Sequence, residues 1–356
     1  IHPWPTLNTL VLEKHRLHDP GIHMTERVIV TVGIEFYGQQ PARDLLERAG
    51  LECIHRSGSP GWPDDETREY ITGMQGILAG AEFLNASTMD HTNDMRVIAR
   101  NGVGFDRVDL DYCTERGIVV TNTPGSMADA VADLTFALLL AAVRHVVAGN
   151  EIVKAGGVYD VPIGEDLASL TLGLVGCGHI GAETVRRARA FKMPVLVEDP
   201  WVDPQRIRDL GAKPVDRSRL LAEADVISLH LPLTDESANF VDAGFLSAMK
   251  PGSWLLNTAR GGLVDEDALI DALTSGHLAG AGLDCQATEP PEGRTKDLVA
   301  LDNVVALPHC ASKTATARKA MSIAAAQSIV EVLGGQEPEF VVNRDVLKKL
   351  DLQPRT

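Results

Sequence analysis

The chain has 356 residues, 44% apolar and 23% charged, which excludes disorder as its main state and leaves room for about two domains. Asp and Glu outnumber Lys and Arg by 49 to 33, for a formal net charge of −16, so a general affinity for nucleic acid or an anionic membrane is excluded. Five cysteines without a CxxC pair, no secretory signal and a longest apolar run (Leu134–Val143) too short for a bilayer point to a reduced, cytoplasmic protein.

Residues 1–26 have prolines and histidines and no clear period, and read as an extension. His15, His18 and His23 within it read as a solvated tail rather than a metal site. From Arg27 an alternation begins. VIVTV (Val28–Val32) reads as a buried strand, Pro41–Ala49 as a helix closed by Gly50, LECIH as a strand and Asp64–Met74 as a helix. GILA and RVIAR are further strands, followed by a helix over Val108–Arg116 and the strand IVVTN. Thr123–Ser126 (TPGS) punctuates the chain. Ser126 and Asp129 form an S-x-x-D pattern that predicts a capped helix start for the long apolar stretch beyond. The alternation then repeats: LTLGLV, VLVED, DVISLH, SWLLNTA, LAGAGLDC and NVVALP as strands, with helices over Ile180–Phe191, Pro204–Leu210 and Asp265–Thr274 between them. A last helix, Ala315–Leu333, ends at Gly334-Gly335. Strands alternating with helices predict an α/β fold with parallel sheets.

Gly176-Cys177-Gly178-His179-Ile180-Gly181 is G-x-G-x-x-G between a strand and a helix, the context in which that pattern binds a dinucleotide. Gly176 permits the tight turn, Gly178 admits the pyrophosphate, and Gly181 lets helix and strand approach. The N–H groups of His179 and Ile180 face the anion. Asp199 ends the next strand, where an acid accepts hydrogen bonds from the ribose hydroxyls and repels a 2′-phosphate, favouring NAD. Arg206 and Arg208 follow closely and leave NADP open.

Three ionisable residues stand just past strand ends: Arg260 after SWLLNTA, Glu289 after GAGLDC and His309 after NVVALP. Ligands of open parallel sheets bind at such ends. An arginine forks onto a carboxylate and polarises a carbonyl, a histidine exchanges a proton near neutral pH, and a carboxylate orients that histidine.

Several stretches, RNGVGFDRVDLDYCTERGIVVTNTPG, LGLVGCGHIG, VEDP, HLPLTDES, LLNTARGGLVDEDAL, GAGLDCQATEPP and LPHCAS, resemble the D-isomer-specific 2-hydroxyacid dehydrogenase family over about Arg27–Asn343. The resemblance implies two doubly wound parallel-sheet domains, a Rossmann-type NAD domain inserted into a flavodoxin-like substrate domain. The expected order is an extension, 1–26; the first part of the substrate domain, 27–123; the NAD domain, 124–315; and a helix and tail returning to the substrate domain, 316–356. It implies NAD as cofactor and a small 2-hydroxy or 2-keto acid as substrate. Arg260 would orient the substrate, His309 would act as acid and base, and Glu289 would partner it. Asp284 would hold the nicotinamide amide, and His230, Pro232, Thr258 and Ala259 would line the cofactor. The backbone N–H groups of Val103 and Gly104 would receive the substrate carboxylate. A homodimer is also implied, with Ala128–Val143 the candidate contact, although that face could equally pack within one chain.

The branch resembled most is that of phosphoglycerate dehydrogenase, at NTPGSMADAV. The arginine that branch often carries after its third strand is absent; the place reads ILAGAE, Ile77–Glu82, with no cation for a phosphate. Cys285-Gln286 stands where Val-Phe is common, and Cys310 where Ile or Leu is common. Two other functions share such a fold. Formate and phosphite dehydrogenases are one, though the formate enzymes pair the histidine with glutamine where this chain has Glu289. NAD-sensing corepressors are the other, and they keep the catalytic residues.

Overall fold

A computed structural model describes residues 25–33, 40–56, 64–158 and 161–355. Residues 1–24, with His15, His18 and His23, lie outside it. Two parallel sheets organise the rest. The first has five strands, β1 (Arg27–Val30), β2 (Glu52–His55), β3 (Gly76–Ala79), β4 (Val97–Arg100) and β5 (Val119–Thr121), in the order β2-β1-β3-β4-β5. The second has seven: β6 (Leu172–Val175), β7 (Val195–Glu198), β8 (Lys213–Pro214), β9 (Val226–Leu229), β10 (Ser253–Asn257), β11 (Leu278–Leu283) and β12 (Val304–Ala306). Their order is β12-β11-β10-β9-β6-β7-β8.

Both faces of each sheet are covered, so successive apolar residues feed different cores. In the first sheet Val28, Val30, Leu78 and Val119 pack under the helices Pro41–Arg48 and Ala315–Leu333. Their neighbours Ile29, Ile77, Ile98 and Val120 pack on the opposite face with Ile71, Met89 and Cys113. In the second sheet Leu172, Leu174 and Val197 meet Phe136, Leu139 and Val185, while Val175, Ile227 and Leu255 meet Phe245 and Leu269.

The last helix crosses back to the first sheet. Ala325, Ile329 and Val332 complete that core. Beyond it, Asn343 accepts the Val120 N–H at 2.8 Å and donates to Ile118 O at 2.9 Å, which ties the returning chain to β5.

One expectation is corrected. Ser126 does not cap the apolar helix, Ala128–Val143, which starts behind Met127 without a side-chain cap. The preceding turn occupies its first N–H instead, since Ala128 donates to Gly125 O, and Asp129 holds Arg187 at 2.9 Å. Ten residues of this helix are buried, packed on the helix His179–Ala190 and on β10, β11 and β12, while Ala137 is exposed and Leu134, Leu140 and Ala141 are half-buried. The next helix, Val146–Lys154, buries none of its residues, and with Val161 and Ile163 it leaves an apolar surface, Ile163 being 96% exposed. Among the described residues no single helix is long and apolar enough to cross a membrane.

Candidate active site

The strand order of the second sheet reverses between β6 and β9, which opens a crevice at their carboxyl ends. The glycine loop lies there. Gly176 has φ +94°, and a Cβ on it would stand 2.6 Å from His230 O. A Cβ on Gly181 would stand 2.5 Å from Gly176 O. Packing therefore requires both glycines. Gly178 differs: a Cβ there would meet nothing within 4 Å. Its space faces the start of the helix His179–Ala190, whose first N–H groups have no intrahelical acceptor. Free room plus free N–H donors fits a pyrophosphate. Asp199 accepts the Cys177 N–H at 2.7 Å and those of Trp201 and Val202 at 2.9 and 3.1 Å, beside the glycine loop.

A cleft of about 310 Å³ runs from this loop to the edge of the first sheet. Gly178, His179, Ile180 and Gly181 line one end, and His230, Pro232, Thr258 and Ala259 continue that wall. Val103, Gly104, Arg260 and His309 line it as well. Gly176, Asp199, Asp284 and Glu289 do not line it. Burial pushes the His230 imidazole pKa down to about 4, so the ring is neutral and pairs with Ser228 Oγ at 3.0 Å. Thr258 meets Thr135 at 3.1 Å.

His309 follows β12 with φ +49°. The loop is fastened from below by Asp284, which is fully buried. The Asp284 carbonyl accepts the His309 N–H, and its carboxylate accepts those of Cys310 and Ala311, all at 2.8 Å. Glu289 sits behind the ring, its oxygens 2.9 and 3.1 Å from His309 Nδ1. With Nδ1 engaged, Nε2 is the nitrogen left for proton exchange. Burial works to raise the Glu289 pKa, but the hydrogen bond and charge of His309 outweigh it, and the carboxyl ends below its usual range.

Arg260 leaves β10 through a turn cinched by Asn257, whose Oδ1 accepts the Ala259 N–H at 3.0 Å and whose Nδ2 donates to Arg260 O at 2.7 Å. The guanidinium reaches across to the first sheet. Nε donates to Asp106 at 2.9 Å and Nη1 to Ala259 O at 2.7 Å, while Gly104 leaves room for Nη2. Burial opposes ionisation of Asp106, yet the charge and hydrogen bond of Arg260 hold its pKa below the usual range. Beside the guanidinium, the N–H groups of Val103 and Gly104 have no acceptor among the described residues. Asn122 braces this loop by donating to Val103 O at 2.8 Å. Sequence reasoning did not single out Asp106, Asn122 or Asn257. An Asn closing a strand before a tight turn is a recognisable signal for the last; Asp106 carries none, because its partner lies far along the chain.

A glycine-rich crevice for a dinucleotide, opening onto an imidazole and a guanidinium, defines a nicotinamide-dependent oxidoreductase. The profile of the family described as "D-isomer specific 2-hydroxyacid dehydrogenase, NAD binding domain" matches residues 136–311. A glyoxylate reductase of Thermococcus litoralis is 40% identical over 267 residues, covering 73% of this chain and 80% of its own. A glyoxylate/hydroxypyruvate reductase of Sinorhizobium meliloti, described as NADPH-dependent and solved with NADP and malonate, superposes with a TM-score of 0.78 at 28% identity, covering 94% of this chain and 100% of its own. A D-lactate dehydrogenase of Aquifex aeolicus, solved with NAD and lactic acid, gives 0.76 at 27% identity, covering 91% and 98%. The chain belongs to the D-isomer specific 2-hydroxyacid dehydrogenase family.

Proposed function

We propose that the protein reduces a small, unphosphorylated 2-keto acid to the D-2-hydroxy acid, and runs the reverse oxidation, with NAD preferred. One observation carries this. Arg260, packed against Gly104, and the unpartnered N–H groups of Val103 and Gly104 line the same cleft as His309. A carboxylate entering there gains charge-assisted hydrogen bonds from the guanidinium and from the backbone N–H groups. Its neighbouring keto oxygen then lies between Arg260 and His309. The glycine loop would hold a nicotinamide cofactor, whose chemistry would be hydride transfer to the keto carbon. His309 Nε2 gives the proton to the oxygen, and Glu289 stabilises the imidazolium that gives it. Arg260 stabilises the alkoxide that develops.

Gly176, Gly178, His179, Ile180 and Gly181 hold the pyrophosphate; Asp199 receives the ribose; and His230, Pro232, Thr258 and Ala259 line the remainder. Asp284 acts from beneath by holding the His309 loop, with the nicotinamide amide as its further partner. The preference for an unphosphorylated acid rests on ILAGAE, which carries no cation of its own and holds Glu82 at 3% exposure, while Arg107, the cation that reaches it, is spent on Ala81 O at 2.6 Å. It agrees with the relatives that act on glyoxylate, hydroxypyruvate and lactate. The chain divides into the first part of the substrate domain, 27–123, the dinucleotide domain, 124–315, and the returning helix and tail, 316–356. The protein works as a homodimer in the cytoplasm. Exposed Val146, Val147, Val153 and Ile163 supply the apolar contact for a second copy, because a patch of this kind is unusual on a free monomer.

The test is oxidation of NADH and NADPH against glyoxylate, hydroxypyruvate, pyruvate, phenylpyruvate and phosphohydroxypyruvate. Turnover of one unphosphorylated acid with NADH is expected. Preference for the phosphorylated acid would overturn the substrate class. Silence across the panel with tight NADH binding would move the reading to an NAD sensor.

A further inference from the structure

Directly behind the His309–Glu289 pair lies a third side chain with metal affinity. Cys285 is 2% exposed, and its thiol donates to Ala259 O at 3.4 Å. Ligating atoms of Cys285, Glu289 and His309 all lie within 4.8 Å of one another. We propose that these three side chains form a binding site for a soft divalent cation, Zn²⁺ or Cd²⁺, and that its occupation shuts the enzyme off.

Sulfur, imidazole nitrogen and carboxylate oxygen are the donors zinc takes, and three of them leave a fourth position open. At zinc bond lengths, two ligands of a tetrahedral site stand about 3.5 Å apart. His309 Nδ1 and Glu289 Oε2, at 2.9 Å, need to part slightly, and the sulfur has little more than about 1 Å to close. Thiolate and carboxylate together carry two negative charges, which match a dication. Burial, with the charge of Asp284 next, pushes the thiol pKa up, so without a cation Cys285 is an inert thiol. Binding sends the thiol proton to solvent. The imidazole proton moves from Nδ1 to Nε2, and no electron is transferred.

The consequence for turnover rests on the role proposed for His309; the binding itself does not. With the cation on Nδ1, the ring holds one proton at Nε2 and cannot take a second. Giving up that proton would leave an imidazolate, so the ring loses its acid form, the imidazolium, and with it the means of protonating a keto oxygen. The glycine loop is untouched, so nicotinamide binding survives.

The first experiment titrates Cd²⁺ into the full chain and follows the ultraviolet thiolate-to-cadmium band. One equivalent should bind, compete with Zn²⁺, and give no band in Cys285→Val. In parallel, micromolar Zn²⁺ should cut NADH oxidation at least tenfold in the wild type, EDTA should restore it, and Cys285→Val should need at least tenfold more Zn²⁺. NADH fluorescence should report unchanged cofactor binding. No cadmium band in the wild type, or equal zinc sensitivity in Cys285→Val, overturns the site. A band without inhibition leaves the site standing and overturns the shut-off, and with it the role of His309. Should Cys285→Val fail to fold, Cys285→Ala answers the same question with a smaller side chain.

Discussion

Gly104→Ala is the sharpest probe of how the cleft is built. A Cβ at this position would stand 2.6 Å from the guanidinium carbon of Arg260, closer still to Nη2, and 2.9 Å from Asp106 Oδ1, whereas ordinary contact begins at 3.4 Å. Backbone does not block the methyl group; the end of a flexible side chain does. The guanidinium must therefore retreat by roughly 1 Å or more, and a displacement of that size in a substrate-orienting group costs on the order of 100-fold in rate. That is about 2.7 kcal/mol of transition-state stabilisation. Stability should barely move, because the structural loss is one partly exposed ion pair, worth at most about 1 kcal/mol. The assay is steady-state reduction of glyoxylate and hydroxypyruvate, with NADH affinity by fluorescence and Tm measured alongside. The expected result is kcat/KM down about 100-fold, with NADH affinity and Tm nearly unchanged. Activity within threefold of wild type would refute the placement of Arg260 against Gly104. An equal loss of NADH binding would put the damage in the fold.

His309→Asn should lower kcat by about 10²–10⁴-fold with NADH binding intact; equal loss of both would make His309 structural. Asp199→Ala should raise kcat/KM with NADPH relative to NADH by about tenfold, roughly 1.4 kcal/mol, and unchanged selectivity would remove Asp199 from that role. His230 stays neutral in the fold, with a pKa of about 4 against 6.5 when free, so below pH 6.5 the unfolded chain binds a proton that the folded chain refuses. Stability attributable to this group is complete above pH 6.5 and is lost as pH falls towards 4, by at most about 3 kcal/mol. His230→Gln should therefore lose less stability than wild type between urea unfolding at pH 7 and at pH 4.5, and parallel losses would contradict the buried neutral ring. Ile163→Asp should shift the protein from dimer to monomer in light scattering, whereas an unchanged mass would clear this segment of the interface.

Much of the architecture was legible because it is written in short-range patterns. Buried parallel strands are brief apolar runs, and each run from β1 to β7 and from β9 to β12 stands where the alternation put it. β8, Lys213–Pro214, escaped because two residues have no period. The glycine loop was legible for a different reason: its function lies in the backbone, and only glycine permits the φ of Gly176 or the closeness at Gly181. Side-chain partnerships across the cleft were not. Arg260 and Asp106 are 154 residues apart, and nothing local in NGVGFD announces the pair. Ser126 misled because the helix starts behind Met127, after a backbone turn in which Ala128 donates to Gly125 O. The helix Val146–Lys154 went unread because its apolar residues point outward, against the rule that apolar faces turn to the core.

The route of the chain also orders events during synthesis. β1 to β5 emerge from the ribosome before the whole seven-stranded sheet, yet their apolar surface is closed by Ala325, Ile329 and Val332 and tied off by Asn343. At about 5–20 residues per second, the nascent five-stranded unit waits on the order of 10–40 s for its covering helix. The inserted unit is contiguous and has no such wait. It can fold while its host is still incomplete, and a ribosome that stalls before the last helix releases a folded dinucleotide site beside an open, sticky sheet.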